Sequence, residues 1–216
     1  LLVSVMMIST MNAMAKQLAA EGMPVLQLVW ARFVFHLATA LPVVAIFYPN
    51  LLRAKRPAVQ IGRSTILMAM TFCFFFGLRL MPLAEVTAMM FATPLFLIGL
   101  SVLFLREKVG PRRWLGVAAG SAGIVMILKP SPSMELAYLV PLGAAFFYAN
   151  FQLLTRLISA DDHSITTFLY TPLAGAAVAS AIMPFVWVSP SALGWLLMVL
   201  MGMLGAVGHL LLINAY

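Results

Sequence analysis

Charge is what this 216-residue chain has least of: 9% of its residues are Asp, Glu, Lys or Arg, where soluble domains carry about a quarter. With 63% hydrophobic residues and a mean hydropathy of +1.05, it has more apolar surface than a water-soluble fold of this size can hide. That excludes the soluble classes and predicts an integral membrane protein. Cysteine is nearly absent. The single Cys73 excludes an intramolecular disulfide and a cysteine metal site, and redox chemistry is not indicated. The acids Glu21, Glu85, Glu107, Glu135, Asp161 and Asp162 all fall at or beyond the ends of apolar runs, so no carboxylate relay crosses mid-membrane. HExxH, GxSxG and CxxC are missing, and an enzyme is not expected. A net charge of +7 would suggest nucleic acid in a soluble chain, but in a membrane chain it marks cytoplasmic loops. No nucleic-acid partner, cofactor or metal is expected. The apolar start at Leu1 lacks the basic region and cleavage site of a signal peptide.

Long apolar runs are what the chain does have. A crossing helix needs roughly 20 mostly apolar residues. Breaking at Pro, Gly and charge clusters gives eight spans, about 1–20, 25–48, 64–80, 86–105, 114–128, 136–157, 165–187 and 193–216. The short connections predict that consecutive helices are antiparallel neighbours. Loops 49–63, 106–113 and 156–164 hold Arg53, Lys55, Arg56, Arg63, Arg106, Lys108, Arg112, Arg113 and Arg156. The opposite ends hold only Lys16, Arg79 and Lys129. Nine against three predicts a cytoplasmic N-terminus in a cell inner membrane, with the loop Lys129 to Glu135 outside. Tyr48, Trp114 and Trp187 fall at span ends, where interfacial aromatics belong.

Internal repetition follows. "NAMAK" (Asn12 to Lys16) at the end of the first span matches "QLLTR" (Gln152 to Arg156) at the end of the sixth. The second and seventh spans carry late prolines, Pro42 and Pro184, and "FFFGL" and "LINAY" end the third and eighth. An offset of five helices is odd, so the halves must be inverted. The segment "MPLAEVTAMMFATPLFLIGLSVLFLREKVGPRRWLGVAAGSAGIVMI", Met81 to Ile127, resembles the EamA family of the drug/metabolite transporter superfamily. The resemblance is carried by the turn Pro82 to Glu85, the proline Pro94, the run Arg106 to Lys108 and the glycine-rich fifth helix. It implies ten helices in two inverted five-helix halves with both termini cytoplasmic. This chain holds eight of them, an all-α polytopic membrane protein with a first repeat over 1–130 and an incomplete second over 135–216. The expectation is a fragment whose gene continues with two more spans, the first bearing a proline like Pro94.

Polar groups inside spans are the candidate site, because in lipid they face the bundle interior or a water-filled cavity. They are Asn12, Arg32, His36, Tyr148, Asn150, Gln152, Tyr170 and His209. His36 is the best single candidate, four residues from Arg32 and on its helical face. Arg32 has no acid on its own helix, and its alternatives are a structural pair with Glu21, Glu85 or freed carbonyls, or contact with the anionic part of a substrate. Three other features read as structural. Glu107 is an interfacial charge ending a helix, "SADDHS" (Ser159 to Ser164) is a polar loop capping the seventh helix, and Gly116, Gly120 and Gly123 allow close packing. That packing is expected within the chain, with a homodimer the alternative. The expected function is secondary transport of a small organic metabolite by rocking of the two repeats around a central cavity. The resemblance implies amino acids, nucleotide-like metabolites, vitamins, S-adenosylmethionine or amphipathic drugs as substrates. Arg32 and His36 favour one carrying a carboxylate or other anion. The rivals are an accessory subunit without transport activity and, further behind, a membrane enzyme.

Overall fold

The turn after the first helix shows how local sequence sets the architecture. The computed structural model describes residues 2–106, 110–128, 136–159 and 161–213. Helix α1 (Leu2–Ala20) ends where Gly22 takes φ +86°, a conformation glycine adopts without strain. The N–H groups of Gly22 and Met23 return to the carbonyls of Ala19 and Leu18, closing the helix end, and Pro24 introduces α2 (Val25–Phe47). Prolines at or beside the first turn also open α3 (Pro57–Leu80), α4 (Leu83–Met90), α5 (Thr93–Leu105) and α6 (Pro111–Leu128). There the missing N–H has no intrahelical partner to lose. Then come α7 (Leu139–Ile158), α8 (Ser164–Tyr170), α9 (Leu173–Val186) and α10 (Ala192–Ile213).

Among the described residues six stretches are long and apolar enough to cross a membrane: Val25–Phe47, Pro57–Leu80, Leu83–Phe104, Leu136–Ile158, Ser164–Val186 and Ala192–Leu211. The described residues contain no strand. The chain is an all-α, multi-pass membrane protein. Two expectations need correction at the level of elements. The third helix begins at Pro57, not near 64, which moves Arg63 out of the expected loop and into the bundle. The seventh span is two helices, α8 and α9, parted at Thr171–Pro172. The fourth, within the apolar stretch Leu83–Phe104, divides into α4 and α5 ahead of Pro94. The loop Lys129 to Glu135, Glu107 and the end of "LINAY" lie outside the described residues.

Hydrogen bonds at the two faces show that the spans α1, α2 and α3 alternate in direction, as do the α8–α9 span and α10. At one face the Ser4 hydroxyl donates to the Gly208 carbonyl (2.7 Å), and Lys55 N–H donates to Asp162 (2.7 Å). At the other face Lys16 Nζ donates to the carbonyls of Leu78 and Met81 at the end of α3, and Gln27 exchanges two bonds with the Val188 backbone. Consecutive helices are nevertheless not the main neighbours. The most extensive packing is α3 on α7, α1 on α10, and α2 on α10 and α9. A short loop fixes direction; lateral position in lipid is set by which faces allow close approach. A Cβ at Gly202 would stand 3.0 Å from the Phe35 backbone, and one at Gly205 3.1 Å from Met11 Sδ. The glycines expected to do this work, Gly116, Gly120 and Gly123, have nothing within 4 Å. Among the described residues α6 packs against α4 and α5.

Candidate functional site

Helix α3 is built for a polar interior. Its buried residues Gln60, Arg63, Ser64, Leu67, Met70, Thr71, Phe74, Phe75 and Leu78 recur at helical spacing, so one stripe faces the bundle. The break before Pro172 explains the polar part of it. The first N–H groups of α9 and the last carbonyls before it have no helical partner, and lipid cannot satisfy them. Ser64 takes up two of these groups, and Arg63 is a further donor to the Thr167 carbonyl, which also accepts from Thr171 N–H (3.1 Å). Arg63 Nη2 donates to the Thr167 carbonyl and to the Thr171 hydroxyl, both at 2.7 Å, and Nη1 to the Thr155 hydroxyl at 3.2 Å. The Ser64 hydroxyl donates to the Thr171 carbonyl (2.7 Å) and accepts from Ala174 N–H (3.0 Å). The Arg63 guanidinium also lies over the Phe151 ring, 4.8 Å from its centroid.

Arg32 differs in kind. It is 5% exposed, yet among the described residues no carboxylate pairs with its guanidinium. Among the described residues Glu21, exposed, accepts from Gln17, and neither it nor Glu85 pairs with Arg32. What surrounds Arg32 are ring faces, Phe33 at 5.7 Å and Phe75 at 5.8 Å, with Tyr148 in electrostatic reach. Each such contact contributes about 0.5–2 kcal/mol. A centrally placed arginine costs about 3 kcal/mol or more. The rings offset only part of that cost.

From Arg32 the cluster continues inward. The His36 ring lies 5.1 Å from Phe168 and 6.0 Å from His209. His209 meets Phe151 at 6.5 Å, and Phe151 stacks on Tyr148 at 6.0 Å. Five elements thus converge: α2 with Arg32 and His36, α3 with Arg63 and Phe75, α7 with Tyr148 and Phe151, α8 with Phe168, and α10 with His209. Of the residues expected from the sequence, the structure brings Arg32, His36, Tyr148 and His209 together. Gln152, half-buried, shares the α7 face of Tyr148 four residues on. Asn12 is half-buried on α1, on the face shared with Lys16. Asn150 is half-buried and turns its amide back to the Phe146 carbonyl. Tyr170 lies apart, its hydroxyl 3.5 Å from Ala54 N–H at the membrane face. Arg63 is the residue the sequence reading missed. Pro57 as a helix opener was the available signal, since it puts Arg63 in the second turn.

The "SADDHS" loop closes one face of the bundle. Asp161 pairs with Arg56 Nε (3.1 Å), Asp162 accepts from Lys55 N–H (2.7 Å) and Gln60 Nε2 (2.9 Å), and His163 Nδ1 accepts from Ile165 N–H. Among the described residues no group of three His, Cys, Asp or Glu could hold a metal ion.

Comparison with known proteins adds to this geometry. A family model described as the EamA-like transporter family matches residues 1–129. The S-adenosylmethionine uptake transporter of Rickettsia prowazekii is 26% identical over 96% of this chain and 71% of its own length. The riboflavin transporter of Vibrio cholerae is 33% identical over 62% of this chain and 46% of its own. A solved crystal structure superposes with a TM-score of 0.66 at 20% identity, covering 98% of this chain and 78% of that one, so the fold is shared.

Proposed function

Since the chain belongs to the EamA-like transporter family, whose model matches more than half of it, we propose that it carries an anionic small metabolite through the Arg32–His36–His209 centre. That it is a membrane transporter of small organic metabolites, and not an enzyme, follows from the family and its relatives. The substrate class rests on one observation: Arg32 is buried, and among the described residues no carboxylate pairs with it. A carboxylate accepts two parallel hydrogen bonds from a guanidinium, and the rings of Phe75 and Phe151 offer apolar faces beside it. Tyr148 and Gln152 would complete the polar lining from α7.

Packing supports inverted repeats over 1–130 and 135–216. Exchanging the first span with the sixth and the third with the eighth turns the α1–α10 contact into the α3–α7 contact, and these are the two most extensive in the molecule. Rocking of two such halves about the buried centre would alternate access. The latch of Asp161 and Asp162 on the 48–56 loop would then be a closed gate. The excess of bases at that face, reduced by Arg63 but still eight against three, supports a cytoplasmic gate and N-terminus in an inner membrane. In a Cys73→Ser background, cysteines at Arg53 and at Ser189, both exposed, should react with an impermeant maleimide from opposite sides. Reaction of both from one side would remove this topology.

Counterflow into proteoliposomes tests the function itself. The panel should hold S-adenosylmethionine and riboflavin, the compounds in the relatives' names, beside aromatic carboxylates and their amides. Exchange of carboxylates but not of the matching amides is expected. Equal exchange of both would refute an anion-recognising centre.

A further inference from the structure

Two buried imidazoles at the centre each keep a nitrogen without a partner. His36 and His209 are 2% and 7% exposed, and their Nε2 atoms have no hydrogen-bond partner among the described residues. His209 Nδ1 stands 3.2 Å from the Gly205 carbonyl oxygen. A carbonyl only accepts, so Nδ1 holds the proton and Nε2 presents a lone pair. An orphaned acceptor in such a place is unfavourable. A proton would satisfy it, provided the surrounding charge allows one.

The surrounding charge is positive. Near the two rings are Arg32 from α2 and Arg63 from α3, and the phenol of Tyr148 from α7 lies toward Arg32. Helix α9 carries no titratable side chain, and α10 carries none besides His209. From α8 comes Phe168, while Tyr170 reaches toward Ala54 and Asp162 is taken by Lys55 N–H and Gln60. Lys16 of α1 is held by the carbonyls of Leu78 and Met81. A proton on the empty centre would be a third positive charge beside two guanidiniums, at low dielectric. A carboxylate bound at Arg32 reverses the balance. Anion and proton therefore favour each other's binding, and such coupling is reciprocal.

We propose that His36 and His209 form a proton site filled together with the anionic substrate, so that the carrier moves the two as a pair. This rests on the anionic-substrate reading above. The proton comes from water on the loading side, rides on an imidazole Nε2 and leaves with the anion on the other side. No bond but that N–H is made or broken.

The chain holds three histidines, and the third, His163, is exposed in a loop, which makes it an internal reference. Protein labelled with 13C and 15N at histidine and arginine, in lipid nanodiscs, would be titrated by NMR from about pH 3 to 8. The titration is run alone and with acetate, benzoate and indole-3-acetate in turn, with benzamide as the neutral control. At least one carboxylate should shift the Arg32 side-chain resonance and raise the proton affinity of His36 or His209 at least about tenfold, one pH unit of midpoint. His163 should not move, and benzamide should do nothing. A carboxylate that shifts Arg32 but leaves both buried histidines unchanged overturns the proton site and leaves the anion reading standing. No response at Arg32 or the buried histidines to any carboxylate overturns both.

Discussion

Arg32→Ala is expected to abolish substrate exchange while leaving the protein at least as stable as the parent. The two effects come from the same fact. Among the described residues the guanidinium has ring faces and the nearby Tyr148 phenol for company, and no carboxylate pairs with it, so removing it relieves a burial cost and breaks no ion pair. Loss of its contact with a substrate carboxylate should weaken binding by about 2–5 kcal/mol, thirtyfold or more. Arg32→Lys keeps the charge without the planar fork and should fall between. Counterflow rates and a thermal shift in detergent read the two quantities separately. A variant that exchanges normally would show that Arg32 does not touch the substrate. One that fails to accumulate, or melts markedly lower, would show that the arginine holds the bundle together.

Gly202→Leu should prevent the protein from accumulating as a monodisperse species, whereas Gly120→Leu should be silent. At Gly202 a Cβ would stand 3.0 Å from the Phe35 Cα and carbonyl carbon, so backbone and not a pliable side chain is in the way. Even Gly202→Ala should cost about 1–3 kcal/mol, as overpacking does, and leucine would force α2 from α10 and carry His36 away from His209. Gly120 has nothing within 4 Å of the same construction and is exposed. Fluorescence-detected size exclusion of both variants decides the matter. A benign Gly202→Leu would mean that α2 and α10 do not meet as described.

Six span positions were legible in the sequence, because crossing a bilayer demands a length of apolar chain that composition reveals directly. The placing of Arg32 and His36 on one face was legible too, from their spacing of four. Which helix lies beside which was not. In lipid both faces of a helix are apolar, so no amphipathic stripe announces the packing side, and the glycines that matter, Gly175, Gly202, Gly205 and Gly208, look no different from those of α6. Arg63 was misplaced because its charge resembled those of the neighbouring loop. Its partners, Thr155, Thr167 and Thr171, lie 92 to 108 residues away, beyond any local pattern. The break at Pro172 was hidden by the same distance, since a proline in an apolar run tells of a kink only once its freed carbonyls find donors.

That distance has a consequence for biogenesis. The chain is made from its N-terminus, and α3 reaches the bilayer before any of the threonines that receive Arg63 have been synthesised. So does α1, whose Ser4 waits for Gly208 across 204 residues. The nascent first half therefore meets lipid with a guanidinium and several hydroxyls unmated. Arg63 sits only two turns into α3, about 9 Å from its start, where a long side chain can still reach the headgroups. It can hold there until α7 and α8 arrive and then be drawn inward as they dock. Assembly of the bundle is thus ordered late, by the second half closing over the first.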